Sequence, residues 1–138
     1  MIPKLSVLRA CKRVLRHGAR MGLYTIHLSP GLAAGEHTRG VLAGPRAVDA
    51  SASYPELLTR AGFVDVRVID ATAEFLVTAK RLLEVSRQLE EGLRKVQGDS
   101  NFEEFQRDRE GVVGAIEGGL LQRSFMLASG PAITSSRK

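Results

Sequence analysis

The chain has no tryptophan, and phenylalanine and tyrosine together make up only 5% of its 138 residues. Its core must therefore be built from Leu, Val, Ile and Ala, with few rings to fill space. A single cysteine, Cys11, excludes an internal disulfide and fits a reducing compartment. No apolar run approaches the roughly 18 residues of a membrane span. The segment after Lys4 is interrupted by Arg9, Lys12 and Arg13, so a secretory leader is not expected and a cytoplasmic location is. Phosphate-loop signatures are missing as well: neither Gly-x-Gly-x-x-Gly nor Gly-Lys-Ser/Thr occurs. Ser29 lacks the Gly-x-Ser-x-Gly surroundings of a nucleophile. His17, His27 and His37 have no metal-ligand spacing and no supporting cysteine or carboxylate cluster, so no metal site is expected.

What is present is the composition of an ordinary globular protein, 43% apolar and 25% charged. The length suits one domain, read here as 1–130, followed by a flexible polar tail over 131–138. The net charge of +5 is spread over Lys4, Lys12, Arg13, Arg16, Arg81, Arg87 and Arg94, and no aromatics interleave with these residues. A nucleic-acid partner is therefore not expected.

Leu5, Leu8, Cys11 and Leu15 recur at spacings of three and four, with Lys12, Arg13 and Arg16 falling largely between them; this predicts an amphipathic helix from about Ile2 to Arg16. His17-Gly18 is its expected stop. Leu23, Tyr24, Thr25, Ile26 and Leu28 then read as a strand, taken as the buried central one, closed by Ser29-Pro30-Gly31. The glycine- and proline-rich stretch from Pro30 to Ser53 reads as a loop or lid with at most a helical turn near 36–42. Ser53 and Pro55 open a short helix that Gly62 ends. Val64, Val66 and Val68 alternate with Asp65 and Arg67 as a strand, completing a βαβ unit. A long helical pattern follows from Thr72 to Gln97, and a weaker one from Asp99 to about Ile116. After Gly118-Gly119, Leu120–Ala128 reads as a third strand.

The stretch Leu8–Met21 resembles the helix and basic, glycine-containing passage that leads into the fifth strand of class I S-adenosylmethionine-dependent methyltransferases, with His17-Gly18-Ala19 in place of the usual Pro-Gly-Gly. Leu57-Leu58, Ala61, Gly62 and Phe63 resemble the passage before their sixth strand, and the run from Gly119 to Ala128 their antiparallel seventh. The resemblance implies an α/β fold: a partial Rossmann-like methyltransferase sheet of about three strands, with a long helical insertion before the last strand. It implies S-adenosylmethionine as cofactor. It also implies that the cofactor's glycine-rich loop and ribose-binding acid belong to an earlier part of the fold, so no cofactor-binding residue is carried over.

Within that frame His27, near the end of the strand and titrating close to neutral pH, is the candidate general base. Tyr24, His37, Arg46 and Tyr54 are candidate acceptor-binding residues. His17 is read as a helix-end cap, and Glu103-Glu104 as a solvated surface. The expected protein is the substrate-side C-terminal half of a methyltransferase for a small-molecule acceptor, inactive until an N-terminal half completes it. The other reading is a non-catalytic module that oligomerises or pairs through an exposed sheet edge.

Overall fold

The computed structural model describes residues 3–46, 48–50 and 52–132; Ile2, expected to open the first helix, and the tail segment 133–138 lie outside them. In chain order the elements are α1 (Lys4–Val14), β1 (Arg20–Leu28), α2 (Ala34–Ala43), α3 (Tyr54–Arg60), β2 (Val64–Asp70), α4 (Thr72–Gln88), α5 (Glu90–Gln97), α6 (Asp99–Glu117) and β3 (Leu121–Ser129). The α/β class and the long helical insertion before the last strand are as the sequence indicated.

The strands form one sheet in the order β1-β3-β2, with β3 antiparallel to its neighbours. Reciprocal bonds from Gly18 N–H to the Pro131 carbonyl (3.2 Å) and from Gly130 N–H to the Ala19 carbonyl (2.8 Å) set the β1–β3 register. This corrects the reading of β1 as the central strand. The centre belongs to β3, whose Leu121 and Met126 are 0% and 2% exposed, whereas β1 is only half-buried. β1 and β2 run the same way and are joined through α2 and α3, so the βαβ connection stands, with β3 inserted between its two strands. Local patterning could not reveal this: an apolar strand looks the same whether its neighbour comes from before or after it in the chain.

The chain packs as two compact units, Met1–Thr25 with Ala50–Ile69 and Ser124–Lys138, and Ile26–Asp49 with Asp70–Arg123. In the first, Leu8 of α1 and Leu57, Leu58 and Ala61 around α3 pack with Met126 and Ala128, and Met21, Leu23 and Val66 border them. The Ser53 hydroxyl caps α3 by accepting from the Glu56 N–H at 3.3 Å, as its position before Tyr54-Pro55 suggests. Gly22 and Tyr24 alternate with Met21 and Leu23, so they stand on the opposite sheet face. There the Phe125 ring lies so close over Gly22 that a Cβ would come within 2.8 Å of it.

In the second unit Val48, Phe75, Ala115, Ile116, Leu120 and Leu121 form the core. The segment read as a loop contributes the ten-residue helix α2, which packs on α6. At its start the Glu36 carboxylate accepts from the Ala33 N–H at 3.1 Å, one half of a capping box, since Ala33 has no side-chain acceptor for the other half. The long pattern over 72–97 divides at Leu89, although Leu89 N–H still donates to Val85 and Leu93 N–H to Leu89. Gly98, at φ 87°, provides the left-handed turn into α6. Arg94 binds Glu90, Asp99 and Glu103 across that turn, and Glu90 first, then Asp99, raise its pKa further.

Two packing outcomes follow. Leu121→Ala should cost about 2–5 kcal/mol, as large-to-small changes at a fully buried leucine do. Gly40→Val should cost about 1–3 kcal/mol, because even a Cβ at Gly40 comes within 2.7 Å of the Leu28 side chain. Urea denaturation followed by circular dichroism measures both; wild-type midpoints for either variant would contradict this packing.

Candidate functional site

In open sheets, ligand chemistry gathers beyond the carboxyl ends of parallel strands. Here β1 and β2, both antiparallel to β3, deliver His27 and Asp70 to such ends, both within the second unit. The Nδ1 of His27 lies 2.9 Å from the Leu28 carbonyl oxygen. A carbonyl only accepts, so Nδ1 carries the hydrogen and the lone pair of the neutral ring is on Nε2.

Asp70 closes β2 and starts α4. One of its carboxylate oxygens accepts from the Thr72 backbone N–H at 3.0 Å and from the Thr72 hydroxyl at 2.5 Å. The same hydroxyl accepts from the Arg123 N–H at 3.2 Å. This is an Asx-type turn, in which a short acidic side chain satisfies backbone that the incoming helix leaves unbonded. The hydroxyl bond from Thr72, its backbone bond and then the charge of His27 hold the Asp70 carboxyl below its ordinary range. Sequence reading passed over Asp70 as the last residue of a strand. An acid two residues before a threonine at a helix start was the signal that could have singled it out.

Immediately after β1, Ser29 donates its N–H to the Leu120 carbonyl at 3.0 Å. Its hydroxyl oxygen is buried and has no hydrogen-bond partner among the described residues. A buried hydroxyl left in this state is costly, so this strand end holds an unanswered polar group beside His27.

The other predicted residues have separate surroundings. His37 lies on α2, with Nε2 3.2 Å from an Asp49 carboxylate oxygen; both side chains are about half exposed. Arg46 is exposed on the turn after α2. Tyr24 and Tyr54 belong to the first unit. The Tyr24 ring is 65% exposed and tilted against Phe125 with centroids 4.8 Å apart, and Tyr54 opens α3 with the Lys4 ammonium 5.7 Å from its ring centre. His17 caps no helix: α1 ends at Val14 and its C-cap is Leu15.

No cluster of three or more potential metal ligands occurs among the described residues. The two strand-to-helix turns also do not suit S-adenosylmethionine. The turn after β1 holds one glycine, Gly31, next to Pro30, and the acid that ends β2 is engaged by Thr72. Neither turn carries the Gly-x-Gly pattern of a glycine-rich loop.

No family model matches the sequence, and no curated protein does. Solved structures match throughout the chain. A protein of Galdieria sulphuraria described as a sarcosine dimethylglycine methyltransferase matches with a TM-score of 0.82 at 15% identity, over 95% of this chain and 48% of its own. Phosphoethanolamine N-methyltransferase 2 of Haemonchus contortus, solved with phosphomonomethylethanolamine and S-adenosylhomocysteine, matches with a TM-score of 0.77 at 15% identity, over 93% of this chain and 30% of its own. A mycolic acid cyclopropane synthase in its apo form matches with a TM-score of 0.73 at 14% identity, over 91% and 52%.

Ionisation of Asp70 contributes to stability with a definite sign. Its folded pKa is lowered, so the contribution is full above the ordinary aspartate pKa and is lost as pH falls through the folded value. Asp70→Asn should therefore be less stable than wild type at neutral pH, with the gap closing in acid. Urea midpoints of both proteins across that range test this, and a constant gap would count against it. The matches extend over nearly the whole chain and over about half or less of each solved protein, and together they place the chain in the fold of S-adenosylmethionine-dependent methyltransferases.

Proposed function

We propose that this chain is the substrate-side, C-terminal portion of a methyltransferase for a small-molecule acceptor, inactive by itself and completed by a cofactor-bearing portion outside the described residues. The observation that carries the reading is the polar end of β1. There His27 has its Nδ1–H committed to a carbonyl, and Ser29 holds a buried hydroxyl without a partner, in a fold otherwise matched to methyltransferases. His27 takes a proton from the acceptor at Nε2, with the Asp70 carboxylate as counter-charge for the imidazolium. His37 and Arg46, on and just after α2, contact the acceptor. Tyr24 and Tyr54, the other acceptor-binding candidates from sequence, lie in the first unit. Such a protein relies mainly on positioning, because the methyl donor is intrinsically reactive and the acceptor must be held in line.

A second reading is favoured by the place of β1 at the sheet edge. An edge strand carries backbone groups able to pair with another chain, so the same surface also suits a non-catalytic module that binds a second copy or a partner.

Calorimetric titration of the folded chain with S-adenosylmethionine and S-adenosylhomocysteine should give no heat. Micromolar binding would overturn the assignment of the cofactor site to another portion. In the completed enzyme, His27→Gln should lower kcat by about 10²–10⁴-fold, the usual contribution of a general base. An unchanged kcat removes His27 from the reaction. Sedimentation of the chain alone separates the readings: a stable dimer in which methyl transfer never appears supports the module.

A further inference from the structure

The first unit contains a cleft of about 540 Å³ lined by Lys12, Arg13, Leu15, Arg16, His17, Gly130, Pro131 and Ala132. One wall is the last turn of α1 and the segment after it; the other is the chain leaving β3. The two walls are tied by the bonds from Gly18 N–H to Pro131 and from Gly130 N–H to Ala19, so the cleft has a fixed backbone frame. Leu15 contributes its apolar wall.

Among the described residues, every ionisable side chain lining this cleft is basic. Lys12, Arg13 and Arg16 make no ion pair among the described residues, whereas Arg60, Lys80, Arg87, Arg94 and Lys95 on the other helices do. Lys12 and Arg13 lie in the last helical turn, where their charge suits the helix dipole. That effect fades within the turn and does not account for Arg16 and His17, which lie beyond the helix. Like charges gathered on one cleft repel one another modestly, and an anion bound there relieves that repulsion. The volume falls in the range of small-molecule sites. Guanidinium groups favour anions by their charge and can donate to a phosphate in a planar fork.

We infer that this cleft binds a small phosphate-bearing molecule with at least two negative charges, at a site separate from the polar end of β1. The site holds whether or not the chain takes part in methyl transfer. Arg13 and Arg16 supply forked donors, and Lys12 and His17 add charge from the cleft's sides.

The test uses inorganic pyrophosphate as probe, with the full chain, followed by calorimetry and by thermal shift. Wild type should bind pyrophosphate, and R13Q/R16Q should bind it at least about tenfold more weakly through loss of two charge-assisted contacts. Both arginines are exposed, so the double variant should retain the wild-type circular dichroism spectrum. The variant R81Q/R107Q, with the same charge change on α4 and α6, should bind as wild type. Absence of pyrophosphate binding, equal loss in both variants, or an equal response to sulfate at matched ionic strength would each overturn the site. Binding of a single-stranded oligonucleotide that is tighter than pyrophosphate and lost in R13Q/R16Q would overturn it in favour of a nucleic-acid surface.

Discussion

The pairing of β3 with both other strands is the constraint on which the rest depends. β1 and β2 have no bonds to each other, and each finds its sheet partner only in the last strand. Until β3 is in place, the backbone groups of both are without partners, and unbonded buried backbone is costly. The same strand supplies Met126 and Ala128 to one core and Leu121 to the other. The contacts that close the sheet are thus among the most distant in sequence, such as Gly18 with Pro131. Closing loops of that length costs entropy before any contact offsets it.

The direction of β3 also sets the chemistry. Strands on either side of an antiparallel neighbour run the same way, so β1 and β2 present their carboxyl ends at one end of the sheet. His27 and Asp70 each sit at such an end, near enough for the histidine's charge to favour the carboxylate. Asp70 is fixed by Thr72, and Thr72 is fixed in turn by the backbone of β3. A short hydrogen-bonded chain therefore links the central strand to the start of α4 and to the site.

The two faces of the sheet in the first unit differ sharply. One is covered by α1 and α3 and holds the core around Leu58. The other carries Gly22, Tyr24 and Phe125, with Tyr24 largely exposed. Both ladders are antiparallel, and an antiparallel sheet can leave one face to solvent. The chain spans about half or less of the solved methyltransferases it matches.

The sequence by itself determined what depends on neighbours in the chain. Spacing of apolar residues located α1, α4 and α6, the Ser53–Pro55 pair located the start of α3, and alternation located β2. The likeness to the methyltransferase fold was legible in the order of these pieces. Glycine and proline content concealed α2, because helix formation there is secured by its contact with α6 and not by local propensity. Tertiary structure alone decided that β3 is central and β1 an edge, since strand order is a long-range choice that leaves the local pattern unchanged. It alone joined His27 to Asp70, forty-odd residues apart, and brought Arg13 and Arg16 against Gly130 and Pro131. Charge and hydrogen bonding act through space, and sequence distance carries little information about which groups will meet there.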